Sequence, residues 1–406
     1  MSQLPDPIPL FDTLEYMHEF QLPKSHKELP FFQKDFRIAS EFLRQYDGSL
    51  ATFNSYRREL ERLLQWSWFL EKKSLLELKR IDIEEYLQFC KDPPLSWIGI
   101  NKVPRFINQE GVRVPNPIWR PFVATLSKIA TKSGAEPERK NYQLSEKAFR
   151  EIFAVLSSFY NYLLQENLTE ANPIAQIRQK SKFLRRHQNK TRIRRLSELQ
   201  WQFVIDTAEK LANENPEEHE RTLFIMTALF AMYLRISELV ASERWLPKMN
   251  DFKRDQDGNW WFTVVGKGNK ERQIAVSQAM LEALKRWRKH LGFSPLPLAN
   301  EQIPLIPKNR GKGPVVSTNQ IRNIVQLCFD HAAIRMESQG LGEESAELRV
   351  ATVHWLRHTG ISEDVKIRPR EHVRDDAGHS SGAITDRYID IELRERHRSA
   401  QQKPLK

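Results

Sequence analysis

His354-Trp355-Leu356-Arg357-His358-Thr359, followed by Gly378-His379-Ser380-Ser381 and then Tyr388, is the stretch around which this 406-residue chain is organised. Residues three apart on a helix share a face, so His354 and Arg357 point the same way. Tyr388 stands nine residues beyond His379. Upstream, Tyr233-Leu234-Arg235-Ile236-Ser237-Glu238-Leu239 supplies a second arginine. Val265-Gly266-Lys267-Gly268-Asn269-Lys270-Glu271-Arg272 supplies a lysine in a glycine-rich turn. Two arginines, one lysine, two histidines and one tyrosine are what transfer of a phosphodiester onto a phenol needs.

Each residue type has a physical reason. The pentavalent phosphorane carries extra negative charge on its nonbridging oxygens, and an arginine fork can hold two of them at once. Donors preformed at developing charge usually supply the largest catalytic effect. A phenol is a poor nucleophile at neutral pH, and neighbouring guanidinium charge favours its phenolate. The same arginines can therefore activate Tyr388. The leaving 5′-oxygen needs a proton, which an ammonium on a hairpin can donate. Histidines can take or give protons, or hydrogen-bond the phosphate.

The order Arg, Lys, His-x-x-Arg, His, Tyr resembles that of the tyrosine recombinase or phage integrase family, over about Leu196 to Glu392. The match is in residue type, order and spacing. The resemblance implies that Tyr388 is the nucleophile, that Arg235 and Arg357 clamp the phosphate, and that Lys267 is the general acid. It makes His354 a proton acceptor or phosphate ligand and His379 an auxiliary phosphate ligand, and it calls for no metal or nucleotide cofactor. The sequence departs from the family in one place. After His358 the family continues into an apolar helix, whereas residues 360–370 here are polar and interrupted by Pro369. The resemblance therefore does not fix the fold between Gly360 and Ala377.

Composition sets outer bounds. Lysine and arginine number 63 against 52 acidic residues, a net charge of +11, which favours a polyanion such as double-stranded DNA as partner. The length suits two domains or three. Cys90 and Cys328 are the only cysteines, which excludes a disulfide framework or a thiolate zinc site and fits a reducing cytosol. The apolar run Leu223 to Leu234 is too short to span a bilayer. Acidic residues and prolines stand at the N-terminus in place of a charged-then-apolar leader. The expectation is a cytoplasmic, prokaryotic, nucleoid-associated protein with no membrane partner.

Residues 1–30 are proline-rich and read as an arm or short ordered extension. A helical block follows over residues 31–177. Its first stripe is Phe32, Phe36, Ala39, Leu43 and Tyr46, and its second runs from Phe53 through Leu60, Leu63 and Trp66 to Phe69. Ile81 to Phe89 forms a third, with Asp82 as cap. Arg57, Arg58 and Arg62 ride the opposite faces, and Arg57 and Arg58 are candidate phosphate contacts. Residues 92–139, with seven prolines, interrupt the block as an insertion. It reads as a hairpin or long loop plus a short helix around Phe122 to Thr131. Either it serves function or its tryptophans fill the core. Glu146 to Leu163 resumes the helical pattern, and Asn172-Pro173 caps a short helix. In the resembling family this block is the core-binding domain.

Residues 178–195 form a linker with nine arginines and lysines and no acid. Charge this dense disfavours a packed core and suits a polyanion. Arg178, Lys182, Arg185, Arg186, Lys190, Arg192 and Arg194 are its candidate DNA contacts. A catalytic domain over residues 196–406 opens with the capping box Ser197-Glu198-Leu199-Gln200. A helix to about Ala212 and a buried helix ending at Arg235 follow. Trp260 to Val265 and Arg272 to Val276 form a β-hairpin. Ser317 to Gln320 caps a helix from Ile321 to about Met336, with Ile324, Leu327, Cys328 and Ala332 on its apolar stripe. The fold class is mainly α with a small β-sheet. It joins a helical core-binding domain to a mixed α/β catalytic domain, and the expected form on DNA is a C-shaped clamp.

Taken singly, each residue has a plainer reading. Arg235 can pair with Glu238, the hairpin lysine can be turn chemistry, and Lys270 rivals Lys267 as the acid. His354 and His358 are at zinc-ligand spacing, but Arg357 would sit beside the cation. The ordered set favours a site-specific recombinase or integrase that cuts and rejoins DNA through a 3′-phosphotyrosine, integrating or excising a mobile element. The alternatives are a chromosome-dimer resolvase, a type IB topoisomerase-like enzyme, or a DNA-binding regulator on the same scaffold. The segment after Tyr388 alternates apolar residues at 389, 391 and 393. In the family it docks on a neighbouring protomer, which implies a dimer on one site and a tetramer at synapsis.

Overall fold

The computed structural model describes residues 5–16, 31–126, 130–131, 134–178, 194–266, 270–389 and 400–401. The chain divides into two compact units, Met1–Asn189 and Lys190–Lys406.

The first unit is built from α1 (Phe32–Arg44), α2 (Leu50–Trp66), α3 (Arg80–Lys91), α4 (Glu146–Gln165) and α5 (Pro173–Arg178). Their apolar stripes close on a core that includes Phe42, Leu60, Trp66, Tyr86, Leu156 and Phe159. The N-terminal arm joins this core, since Leu10 and Phe11 are fully buried. Glu61, also fully buried, accepts the Leu10 N–H at 2.5 Å and pairs with Arg105. Asp12 pairs with Arg113. Asn172 caps α5 through the N–H groups of Ile174 and Ala175, at 3.0 and 3.2 Å.

Three expectations for this unit need correction. Asp82 is not the N-cap of α3 but its third residue, reaching back to accept the Lys79 N–H at 2.7 Å, and Ile81 is exposed. The insertion does hold a hairpin, β2 (Phe106–Gln109) with β3 (Val112–Pro115). The helix at its far end does not begin at Phe122: Phe122–Val123 is β4, pairing in parallel with β1 (Ile98–Gly99). Among the described residues there, only Ala130 and Thr131 are helical. The cause is Arg62, which is buried instead of solvated. It donates to the Pro121 carbonyl and lies 4.4 Å over the Phe122 ring. That holds the segment extended along the core. Trp97 and Trp119 are buried, so the insertion's tryptophans do fill the core.

The second unit begins with α6 (Glu198–Glu214), opened by the Ser197–Gln200 capping box. Next are α7 (Pro216–Ala231), the three-stranded antiparallel sheet β5 (Phe252–Arg254), β6 (Trp260–Val265) and β7 (Glu271–Ala275), and α8 (Gln278–His290). Then come α9 (Thr318–Ser338), α10 (Gly342–Val350), α11 (Val353–Asp364), α12 (Arg370–Ala377) and the single turn α13 (Gly382–Thr385). The mainly helical class with a small sheet is therefore observed. β5 is an addition to the expected hairpin. On α9 the buried face is Ile321, Val325, Cys328, Phe329 and Ala332, so Leu327 is exposed, contrary to expectation. Ser317 makes no side-chain cap bond, and the helix starts at Thr318.

Two local departures shape the site. α7 stops at Ala231 instead of running to Arg235, because Tyr233 adopts φ +49. A left-handed residue with a side chain ends a helix and is uncommon. α11 runs on past His358 to Asp364, and Pro369 serves as the residue before α12. The polar stretch is thus helix, turn and helix. Gly360 explains the continuation: a methyl there would overlap the Phe230 carbonyl oxygen at the end of α7. Alanine would gain about 1 kcal/mol in helix propensity. Forcing apart two backbones costs about 1–3 kcal/mol and occasionally more. Gly360→Ala is therefore expected to destabilise the protein despite the propensity gain. A denaturant midpoint equal to or above wild type would contradict that contact.

Candidate active site

The site lies where the turn after α7, the base of the β6–β7 hairpin, α11, α12 and the turn holding Tyr388 converge. Its centre is a buried carboxylate. Glu238, 2% exposed, accepts Arg235 Nη1 at 2.9 Å and both Nη atoms of Arg272 at 2.8 Å. It also accepts the Arg235 backbone N–H at 2.8 Å. Burial works to raise its pKa. The hydrogen bonds and charge of Arg272, with those of Arg235, outweigh burial and hold the carboxyl below its usual range.

Arg357 is 3% exposed. It donates Nη1 to the carbonyl of Tyr233 and Nη2 to that of Ala377 at 2.6 Å. Its pKa is lowered to about 10, by burial first and then by the charges of Arg235 and Arg272. The left-handed Tyr233 is what turns its carbonyl away from the α7 ladder and towards Arg357. The Tyr233 hydroxyl donates to Asp364 and accepts from Arg368 at 2.9 Å. Arg368 also pairs with Asp376 at 2.6 Å. Asp376 in turn accepts the Ala275 N–H at 3.2 Å, fastening α12 to β7. Gly378, at φ +63, ends α12, and its carbonyl accepts Arg235 Nη2 at 3.4 Å.

Tyr388 is 9% exposed, and its hydroxyl lies 2.6 Å from His358 Nδ1. The His379 ring stacks on it, with centroids 5.7 Å apart, and His379 Nδ1 lies 2.9 Å from Thr385 Oγ1. The His354 and His358 rings meet edge to face at 4.5 Å. All three histidines are held neutral. Burial, then Arg357 and Arg235, lowers His354. Burial, then His354, Arg357 and His379, lowers His358 to about 4. Burial, then Arg357, Arg235 and Arg272, lowers His379 to about 4. A neutral imidazole can accept the proton of a phenol that turns nucleophilic.

These shifts have a sign in stability. The unfolded histidines bind protons below their ordinary value near 6.5, while the folded ones do so only near 4. Stability from these groups is present above about 6.5 and is lost as pH falls towards 4. Denaturant midpoints should drop over that range in wild type and drop less in His379→Gln. Equal slopes would contradict the shift.

No protein-family model matches the chain. It is 31% identical to tyrosine recombinase XerD of Rickettsia prowazekii (strain Madrid E) over 147 residues, 35% of this chain and 43% of that one. It is 26% identical to tyrosine recombinase XerC of Caldanaerobacter subterraneus subsp. tengcongensis over 260 residues, 62% of this chain and 61% of that one. The chain thus spans between about two fifths and three fifths of the length of these relatives. The XerH site-specific recombinase bound to palindromic difH substrate, in its post-cleavage complex, shares the fold with a TM-score of 0.54. Its identity is 14%, over 91% of this chain and 89% of that one. The chain is thus similar in sequence to tyrosine recombinases over part of its length, and it shares the fold of a site-specific recombinase.

Of the residues expected from the family's motifs, Arg235, His354, Arg357, His379 and Tyr388 come together in one place. Lys267 lies outside the described residues; Gly266 and Lys270, which flank its turn, are joined by a 2.8 Å N–H to carbonyl bond. Sequence reasoning missed His358, although its place beside Arg357 and four residues after His354 was a visible signal. It also gave no role to Arg272 and did not find Asp376 or Arg368, for which spacing offers no cue. The DNA-contact candidates fare differently. Arg57 donates to the Asp12 carbonyl at 2.6 Å and Asn54 at 2.7 Å, and Arg58 pairs with Glu59 and Glu151. Arg194 is exposed. Lys182, Arg185, Arg186, Lys190 and Arg192 lie outside the described residues, as does the side chain of Arg178. Among the described residues, Glu71, Asp82 and Glu85 are the acidic group spaced for a metal, in the other unit.

Proposed function

We propose that the chain is a site-specific recombinase that cuts and rejoins double-stranded DNA through a 3′-phosphotyrosine on Tyr388. The observation that carries this reading is the 2.6 Å contact of the Tyr388 hydroxyl with His358 Nδ1, beside the positive charge of Arg357. In this reading His358 accepts the phenolic proton as Tyr388 attacks. Arg235 and Arg357 hold the nonbridging oxygens, and His354 and His379 hydrogen-bond the same phosphate. Lys267 protonates the 5′-oxygen as it leaves. The bond energy stays in the protein–DNA ester, so rejoining needs no nucleotide. The helical unit adds a second set of contacts to the duplex. The basic stretch 178–195 supplies phosphate contacts, and Arg194, exposed, is the one of its candidate contacts whose side chain is described. Two protomers share a site and four form the synapse. The element served is a mobile one, integrated or excised, and the protein works in the prokaryotic cytoplasm.

Footprinting on the genomic DNA flanking its gene would give the site, and a nicked suicide substrate built on that site would trap the adduct. Wild type is expected to become covalently attached at a 3′-phosphate with a free 5′-hydroxyl released. Tyr388→Phe is expected to bind the same DNA and form no adduct. An adduct with Tyr388→Phe would overturn the assignment, and binding without any adduct by wild type would favour a regulator on this scaffold.

A further inference from the structure

Arg272 has no part in the phosphate chemistry just described, yet all three of its guanidinium nitrogens are bonded within the site. We propose that Arg272 is a positioning residue that sets the register of the lysine-bearing hairpin against the arginine clamp, an inference that rests on the recombinase reading above. The geometry is specific. Arg272 is the second residue of β7, two positions after Lys270, which closes the turn onto Gly266. Its two Nη atoms form a fork on Glu238 at 2.8 Å each, and its Nε donates to the Asp376 carbonyl at 2.9 Å. Glu238 binds Arg235, and Arg357 binds the carbonyl next to that of Asp376, on Ala377. One guanidinium therefore ties the hairpin base to the anchors of both clamp arginines.

The surrounding glycines agree with this. A Cβ on Gly266 would lie 3.1 Å from Arg272 Nη1 and 3.2 Å from Glu238 Oε1, so the hairpin's last residue before the turn packs directly on the fork. A Cβ on Gly378 would lie 2.8 Å from Arg272 Cδ, on the other side. The arginine thus packs between two glycine backbones, where an added Cβ would press on its side chain. An ammonium cannot reproduce this, because it lacks the planar fork that reaches a carboxylate and a carbonyl at once.

The test separates position from charge. Single-turnover cleavage is measured for wild type, Arg272→Lys, Arg272→Ala and Gly266→Ala. One suicide substrate has an ordinary phosphodiester, and the other has sulfur at the 5′-bridging atom. A sulfur leaving group hardly needs an acid, so a misplaced acid ceases to matter. Displacing a reacting group by about 1 Å can cost about 100-fold. Both Arg272 variants are expected to fall about that far on oxygen and to return to within a few-fold of wild type on sulfur, with Gly266→Ala following them. If Arg272→Lys cuts the oxygen substrate at the wild-type rate, only charge matters and positioning is wrong. Equal defects on both substrates would also sink it. Limited trypsin digestion of the free protein supplies a readout without DNA. Cleavage after Lys267 or Lys270 should quicken in Arg272→Lys at a temperature well below the melting transition of either protein, where global unfolding does not contribute. If wild type makes no Tyr388-dependent adduct, the recombinase reading fails, and digestion at an unchanged rate then overturns the positioning role separately.

Discussion

Arg235→Ala is expected to lower strand cleavage by roughly 100- to 1000-fold, the usual cost of one preformed donor at developing charge. A 5′-bridging sulfur should not restore it. Arg235 is the better probe of the clamp than Arg357. Its side chain is 30% exposed, and Glu238 keeps Arg272 when it is removed. Arg357 is buried on two carbonyls, so its loss disturbs the fold as well. Lys267→Ala should be slow on oxygen and recover on sulfur, because only the protonation of the leaving group is lost. The contrast between the two variants is the informative result. If Lys270→Ala is rescued by sulfur and Lys267→Ala is not, the acid is Lys270. If Arg235→Ala is rescued, its charge does not act on the nonbridging oxygens.

Removing Glu238 should cost more in stability than any other single change at the site. Glu238→Ala leaves Arg235 and Arg272 without their shared acceptor, next to the buried Arg357. Breaking a buried pair by deleting one partner costs about 3–5 kcal/mol, since an uncompensated charge stays behind. Glu238→Gln keeps the shape and loses the charge, and should fall between Ala and wild type. The wild-type carboxyl is depressed relative to its unfolded value of 4.5. Its contribution is therefore present above that pH and lost as pH falls through the lower folded value. In Glu238→Gln that part of the acid sensitivity should disappear. Denaturant midpoints between pH 3 and 7, read as ~3 to ~7 on the carboxylate titration range, would show it. A Glu238→Ala variant as stable as wild type would mean that the three arginines do not need the carboxylate.

The parts of the site written as chemistry were legible in the sequence. Arginine, histidine and tyrosine in fixed order identify themselves by type and spacing, and the (i, i+3) pairing of Arg235 with Glu238 follows from elementary geometry. What sequence could not yield is contact made through backbone. The Tyr233 carbonyl reaches Arg357 only because a bulky residue takes a left-handed conformation, which nothing in Tyr233-Leu234-Arg235 advertises. The polar stretch after His358 offered no sign that α11 runs into it, nor that Gly360 is where two helices touch. Arg62, on a face that periodicity assigns to solvent, lies under the insertion because Pro121 offers a carbonyl and Phe122 a ring. Partners of this kind come from distant segments, and a local pattern carries no trace of them.

The stitching of the first residues into the helical unit has a consequence for how the chain is made. Asp12 finds Arg113, and Leu10 and Phe11 enter a core closed by Phe122 and Leu156. The Asp12–Arg113 pair spans 101 positions. Contacts so distant along the chain form late, because loop closure must come before any reward. On the ribosome Leu10 and Phe11 therefore emerge before all of the segments that cover them. Their partners arrive in stages: Phe36 stacks on Phe11, Glu61 takes the Leu10 N–H, and Arg113 closes its pair with Asp12 later. Over that interval the segment holds only part of its native contacts, and its final burial is timed by elongation, not by local helix formation.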